Sequence, residues 1–158
     1  ATPRWRYVLA QTLNTDAETL HEWLPYLIAL HDMGKLSPPF QKLNIKQRQR
    51  LEAEGFDFGR DGETQHHTTV GRLLLNNYAA HWPPNLRHAF LDMVSGHHGT
   101  YQPEGRQDQG RFDYIQEPDE WDTLRQHAMQ LLESYLCKQW PDPLPVPVNV
   151  SEWFLYFV

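Results

Sequence analysis

Three histidine clusters carry the chemistry this sequence offers. The first is His31-Asp32, which closes the apolar run Leu27-Ile28-Ala29-Leu30 and is followed at once by Gly34 and Lys35. The second is His66-His67, and the third is His97-His98, set between Gly96 and Gly99. Imidazole is a borderline nitrogen donor and carboxylate a hard oxygen that can bridge two ions, a combination suited to divalent transition metals. One residue step on a helix turns the side chain by about 100°. His31 and Asp32 therefore cannot both face a core, but at a helix end stopped by Gly34 they can point into one cleft. The alternative for this pair is a capped helix end in which Asp32 pairs with Lys35. His66 and His67 could equally be polar residues at a helix start. His97 and His98 have little apolar packing to do, and the flanking glycines let both rings turn towards one cavity. Three clusters at three helix ends together favour a shared metal site, because helix ends are where a bundle opens a pocket.

The elements that must position these residues read as helices throughout. Arg4 to Leu13 places Trp5, Val8 and Leu9 at helical spacing, and Thr15-Asp16-Ala17-Glu18 is a capping-box pattern that predicts a helix start near Asp16. Leu20, Trp23, Leu24, Leu27, Ile28 and His31 follow a 3.6-residue stripe, with His21 in the exposed register. Pro25 either kinks that helix or begins a second one carrying the His-Asp pair. Ser37-Pro38-Pro39-Phe40-Gln41 is a stiff turn into a short helix with Phe40 and Leu43 as anchors, and 47–62 reads as a helix end and a surface loop. His67, Gly71, Leu74 and Tyr78 share a face of the next helix, where Gly71 permits close approach, and Trp82-Pro83-Pro84 breaks it. A further helix runs from Leu86 to Ser95, its core side Leu86, Phe90, Met93 and Val94.

Tyr101 to Pro118 is a polar loop without apolar period. Trp121, Leu124, Ala128, Leu131, Leu132, Tyr135 and Leu136 mark a long amphipathic helix. Pro141, Pro143, Pro145 and Pro147 form an extended strap, and Ser151 is placed to cap a last helix. No strand-like alternation occurs, so the fold class is all-α.

With 158 residues, 40% of them apolar, the chain is expected to form one domain (1–158) with a sizeable core. A net charge of −6 excludes a broad basic face that would grip nucleic acid unaided, so phosphate chemistry here needs a local positive centre or a basic partner. Cys137 is the single cysteine, which excludes an internal disulfide and suits a reducing, cytoplasmic setting. There is no signal-peptide pattern and no run long enough to span a membrane.

The order His-Asp…His…His-His is similar to that of the HD superfamily of metal-dependent phosphohydrolases. More narrowly, the chain resembles the HD-nuclease domain of the CRISPR-associated helicase–nuclease of type I systems. His31-Asp32-Met33-Gly34-Lys35 with Ser37-Pro38-Pro39-Phe40-Gln41, the His67-xxx-Gly71 helix start and Ser95-Gly96-His97-His98-Gly99 carry that resemblance. It is strong over residues 24–43 and 66–99 and thin elsewhere.

The resemblance implies a helical bundle with up to two divalent ions (Mn, Co, Ni, Fe, Zn or Mg) held by His31, Asp32, His67, His97 and His98. Asp32 would bridge, with His66 as second choice to His67. It implies Lys35 beside the substrate phosphate, Thr100 and Tyr101 lining the groove, and single-stranded DNA as substrate. The DNA would be delivered by a helicase module of the same protein and a CRISPR RNA-guided surveillance complex. The family also has a histidine ligand before its His-Asp pair and an acidic ligand on a late helix. No residue before 16 is a histidine, and the apolar Trp153–Val158 stretch stops mid-pattern, as expected of a chain truncated at both ends with partial metal occupancy. Two alternatives remain at this point: a nucleotide phosphohydrolase of the same superfamily, and a non-catalytic docking domain with vestigial ligands.

Overall fold

The computed structural model describes residues 4–59, 66–96 and 118–147. Its elements are α1 (Arg4–Leu13), α2 (Leu20–Ala29), a 3₁₀ segment (Leu30–Lys35), α3 (Pro38–Gln41), α4 (Ile45–Ala53), α5 (His67–Tyr78), α6 (Pro84–Gly96) and α7 (Asp119–Leu136). The described residues contain no strand, as the all-α reading expects. His97, His98, Thr100, Tyr101, nearly all of the polar loop and the last expected helix lie outside them.

The core is built by α1, α2, α5 and α6, with Leu13, Leu20, Trp23, Leu27, Val70, Leu75, Leu86 and Phe90 almost wholly buried. The helix expected near Asp16 begins only at Leu20. Asp16 Oδ1 accepts Glu18 N–H at 3.1 Å and Thr19 Oγ1 donates to Asp16 O at 3.0 Å, so local side-chain bonds hold a turn there instead. Pro25 does not restart the helix; α2 runs through it. The ring removes one intrahelical donor, and Glu22 O, three residues earlier, accepts Lys138 N–H at 2.6 Å from beyond α7. Ile28, expected inward, is exposed, and Tyr26 is buried instead. Leu43 is exposed and anchors nothing.

After Ala29 the chain tightens to about three residues per turn, which eclipses side chains at i and i+3. Leu30 and Met33 accordingly stack into the core, while Asp32 and Lys35 stack at its half-exposed rim. This tight segment packs against both α5 and α6. The contact is made by backbone. A Cβ on Gly34 would lie 1.8 Å from His67 O and 2.6 Å from Gly71 N, and one on Gly71 would meet Gly34 N at 3.2 Å and Val94 Cγ1 at 3.3 Å.

The stripe on α7 is narrower than its apolar residues suggest. Trp121 and Arg125 are buried, whereas Leu131 and Tyr135 are exposed. Trp121 is enclosed by Phe56 and Phe58, ring centroids 5.1 and 5.2 Å away, and its indole donates to Asp57 O at 2.6 Å. The stretch read as a plain surface loop thus supplies one wall of the α7 contact.

The two glycines should differ sharply in tolerance. Gly34→Ala forces backbone apart and is expected to cost about 3 kcal/mol or more, at or beyond the upper end for overpacking, whereas Gly71→Ala should cost about 1 kcal/mol. Urea unfolding of the two variants checks this; equal costs would contradict the backbone contact.

Candidate metal centre

Asp32 stands at the centre of the site. Its Oδ2 lies 2.7 Å from Lys35 Nζ and 3.3 Å from His31 Nε2, and its Oδ1 lies 3.6 Å from His67 Nε2. The two imidazoles thus approach different oxygens of one carboxylate. The lysine pair is the one that 3₁₀ eclipsing brings together, and being over a third exposed it is screened by solvent.

The histidine geometry constrains the proton positions. His31 Nδ1 lies 2.5 Å from Ile28 O, so that nitrogen carries the proton and donates to the carbonyl. In a neutral ring, Nε2 then turns a lone pair towards Asp32 Oδ2, an arrangement that a cation between the two groups reconciles. A ring nitrogen fixed to a backbone carbonyl with the other facing a carboxylate is also how metal-ligating histidines are held. The gap between His67 Nε2 and Asp32 Oδ1 is too long for a good direct hydrogen bond. Two ligands about 2.0–2.2 Å from a shared ion are separated by about 3.0–3.6 Å, so both pairs fit a divalent ion in chemistry and spacing. Among the described residues, no group of three or more His, Cys, Asp or Glu is arranged to hold an ion. An ion held here would need donors beyond these three.

His67 rather than His66 faces Asp32. His66 is the N-cap of α5, its Nδ1 lying 2.7 Å from Thr68 Oγ1 and accepting Thr68 N–H at 3.4 Å. It stacks obliquely on His67 at 4.6 Å. His67 is buried, with Phe40 edge-on at 5.3 Å and Lys35 Nζ 5.9 Å from the same phenyl ring. The Ser37–Gln41 motif therefore packs directly on the site. α6 ends at Gly96, the residue before His97. Near that end, Arg72 of α5 donates to Asp92 Oδ1 at 2.9 Å and to Ser95 Oγ at 3.1 Å, tying α5 to the last turn of α6.

The carbonyls at the end of the 3₁₀ segment are taken up in turn. Leu36 N–H donates to Met33 O, Ser37 Oγ to Gly34 O at 2.6 Å, and Gln41 Nε2 to Lys35 O at 2.7 Å. Arg125 Nη1 reaches Leu36 O at 3.0 Å from α7, 89 residues away in sequence. Arg125 is a supporting residue that sequence reasoning missed. Its one signal is position: it stands four residues after Trp121, on the inward face of α7.

A model of the family described as "Cas3, HD domain" matches residues 1–154. A crystal structure of a CRISPR-associated protein superposes with a TM-score of 0.74 at 23% identity, covering 97% of this chain and 17% of that one. The crystal structure of T. fusca Cas3 gives 0.62 at 19% identity, and that of T. fusca Cas3 with AMPPNP gives 0.64 at 21%, each covering 99% of this chain and 18% of the other. The chain therefore spans less than a fifth of the solved chains it matches, and at these identities the likeness is one of fold. Comparison with curated proteins finds no match.

Arg125→Met keeps most of the aliphatic stem and leaves Leu36 O without this donor, an expected cost of about 1–3 kcal/mol. Amide exchange should rise across Met33–Leu36 as well as in α7; a rise confined to α7 would show that Arg125 does not support the site.

Proposed function

The chain belongs to the Cas3 HD-domain family, and on that premise we propose that it hydrolyses phosphodiester bonds of single-stranded DNA using divalent metal ions held around Asp32. The observation that carries this reading is the approach of His31 and His67 to opposite oxygens of one carboxylate. In this reading His31, Asp32 and His67 would hold the ions, joined by His97 and His98 from the segment that follows α6, with Asp32 as the central carboxylate. The imidazole-rich donor set suits Mn, Fe, Co, Ni or Zn better than Mg alone. Bound there, such ions supply a strong nucleophile at neutral pH and neutralise charge on the attacking and leaving oxygens.

The protein's own groups do the rest. Asp32 orients the ligand set, and Ile28 O holds the His31 ring in one tautomer. Phe40 shields one side of His67 from water. Lys35, seated 2.7 Å from Asp32 at the rim, has a flexible stem and a point charge able to donate to a non-bridging phosphate oxygen. Thr100 and Tyr101 are assigned to the groove wall, where a tyrosine ring can stack on a base. The net charge of −6 fits a domain that does not capture DNA by itself. Delivery would fall to a helicase module of the same protein, recruited by an RNA-guided surveillance complex.

Circular single-stranded DNA incubated with Mn²⁺, Co²⁺, Ni²⁺ or Mg²⁺ tests the reading. The wild-type chain should cut the circle with at least one of these ions. Asp32→Asn, nearly isosteric, should be slower by at least about 100-fold, the scale lost when a positioned catalytic group is removed. Equal cleavage by the two proteins would sink the mechanism. Turnover of mononucleotides with the circle left intact would replace it with nucleotide phosphohydrolysis.

A further inference from the structure

At the opposite end of α5 from His67 lies a second feature. Tyr78, His81, Trp82, Glu133, Trp140 and Asp142 line an open cleft of about 420 Å³, with Pro141 and Leu144 also in its lining. α5 is 12 residues long, so at 1.5 Å per residue its ends are about 16 Å apart, and no residue of the cleft belongs to the Asp32 cluster. The walls are aromatic. Trp82, 5.7 Å from Tyr78 and 5.9 Å from Trp140, is itself buried and packs on Phe90 at 5.2 Å, so the more exposed aromatic lining is that of the half-buried Tyr78 and Trp140.

Two carboxylates share the cleft with those rings. The Trp140 indole donates to Glu133 Oε1 at 2.7 Å, which fixes Glu133 beside the ring, and a carboxylate retains acceptor sites beyond that one bond. The Glu133 charge is felt across the region. Burial first, and then this carboxylate, push the Cys137 thiol up, and Glu133 also helps burial to raise the Tyr78 phenol.

We propose that this cleft is a docking site for an arginine side chain presented by a basic segment of a partner protein. A guanidinium is planar and weakly hydrated. It stacks on an indole face while its N–H donors reach carboxylates at the edge, a pairing that an ammonium group makes less well. The chain's net charge of −6 favours a basic partner. A nucleic-acid strand would instead bring phosphates against Glu133 and Asp142. The proposal uses none of the residues assigned to hydrolysis.

Titration of the ¹⁵N-labelled chain with the peptide Gly-Arg-Gly, beside the same peptide carrying neutral citrulline, tests it through the indole N–H resonances. The arginine peptide should move the Trp82 and Trp140 signals saturably, and citrulline should not. The double variant Glu133→Gln, Asp142→Asn keeps an oxygen acceptor for the Trp140 indole and should bind the arginine peptide at least about tenfold more weakly. Asp32→Asn should bind it as the wild type does. Equal binding of the two peptides, undiminished binding by the double variant, or a single-stranded oligonucleotide moving the same two signals would overturn the proposal.

Discussion

The site depends on one backbone contact, that of Gly34 against the first turn of α5. With a Cβ position only 1.8 Å from His67 O, no residue other than glycine fits without separating the two segments. Because the contact is backbone to backbone, it sets the distance between Asp32, two residues before Gly34, and His67, the first residue of α5, without a flexible side chain between them. Gly71 extends the approach by one more turn, and Val94 of α6 closes it from the other side. A carboxylate and an imidazole far apart in sequence are thereby held 3.6 Å apart by close backbone packing.

The second constraint is the tight turn that carries the His-Asp pair. A 3₁₀ segment has poorer hydrogen-bond geometry than an α-helix. Here the carbonyls of Gly34 and Lys35 and, just beyond the segment, of Leu36 are taken up by Ser37, Gln41 and Arg125. These bonds hold the stretch as a fixed platform. They also connect it to α3 and α7, so the position of Asp32 depends on elements beyond its own segment. Ser37 and Arg125 are buried, and an unmet carbonyl beside either would cost about as much as a lost core contact.

Much of this was legible in the sequence, and the rest failed for identifiable reasons. The all-α class, the α5 start at His67, the α6 stretch and the role of Gly71 followed from periodicity and from where the glycines stand. The His-Asp pair was correctly set at the end of an apolar helix, but the tightening to three residues per turn was not foreseen. That change puts Lys35 directly over Asp32. Asp16 misled because its side chain satisfies a turn as readily as a helix N-terminus. Leu131 and Tyr135 misled because an apolar residue on α7 reads as buried whether or not another element covers it. Arg125 was invisible because a charged residue on an inward stripe is legible only once its distant acceptor, Leu36 O, is known. The preference for His67 over His66, already given by the glycine four residues after His67, agrees with the geometry: His67 Nε2 approaches Asp32, whereas the His66 ring engages Thr68 at the helix start.

The measurement that bears most directly on the central claim is an anomalous-difference map from crystals of this chain grown with Mn²⁺. The account predicts a peak within bonding distance of both Asp32 and His67, at about 2.0–2.2 Å from each donor atom. A well-ordered Asp32 and His67 in the geometry described above, with Mn²⁺ absent from between them or bound elsewhere without Asp32, would contradict it.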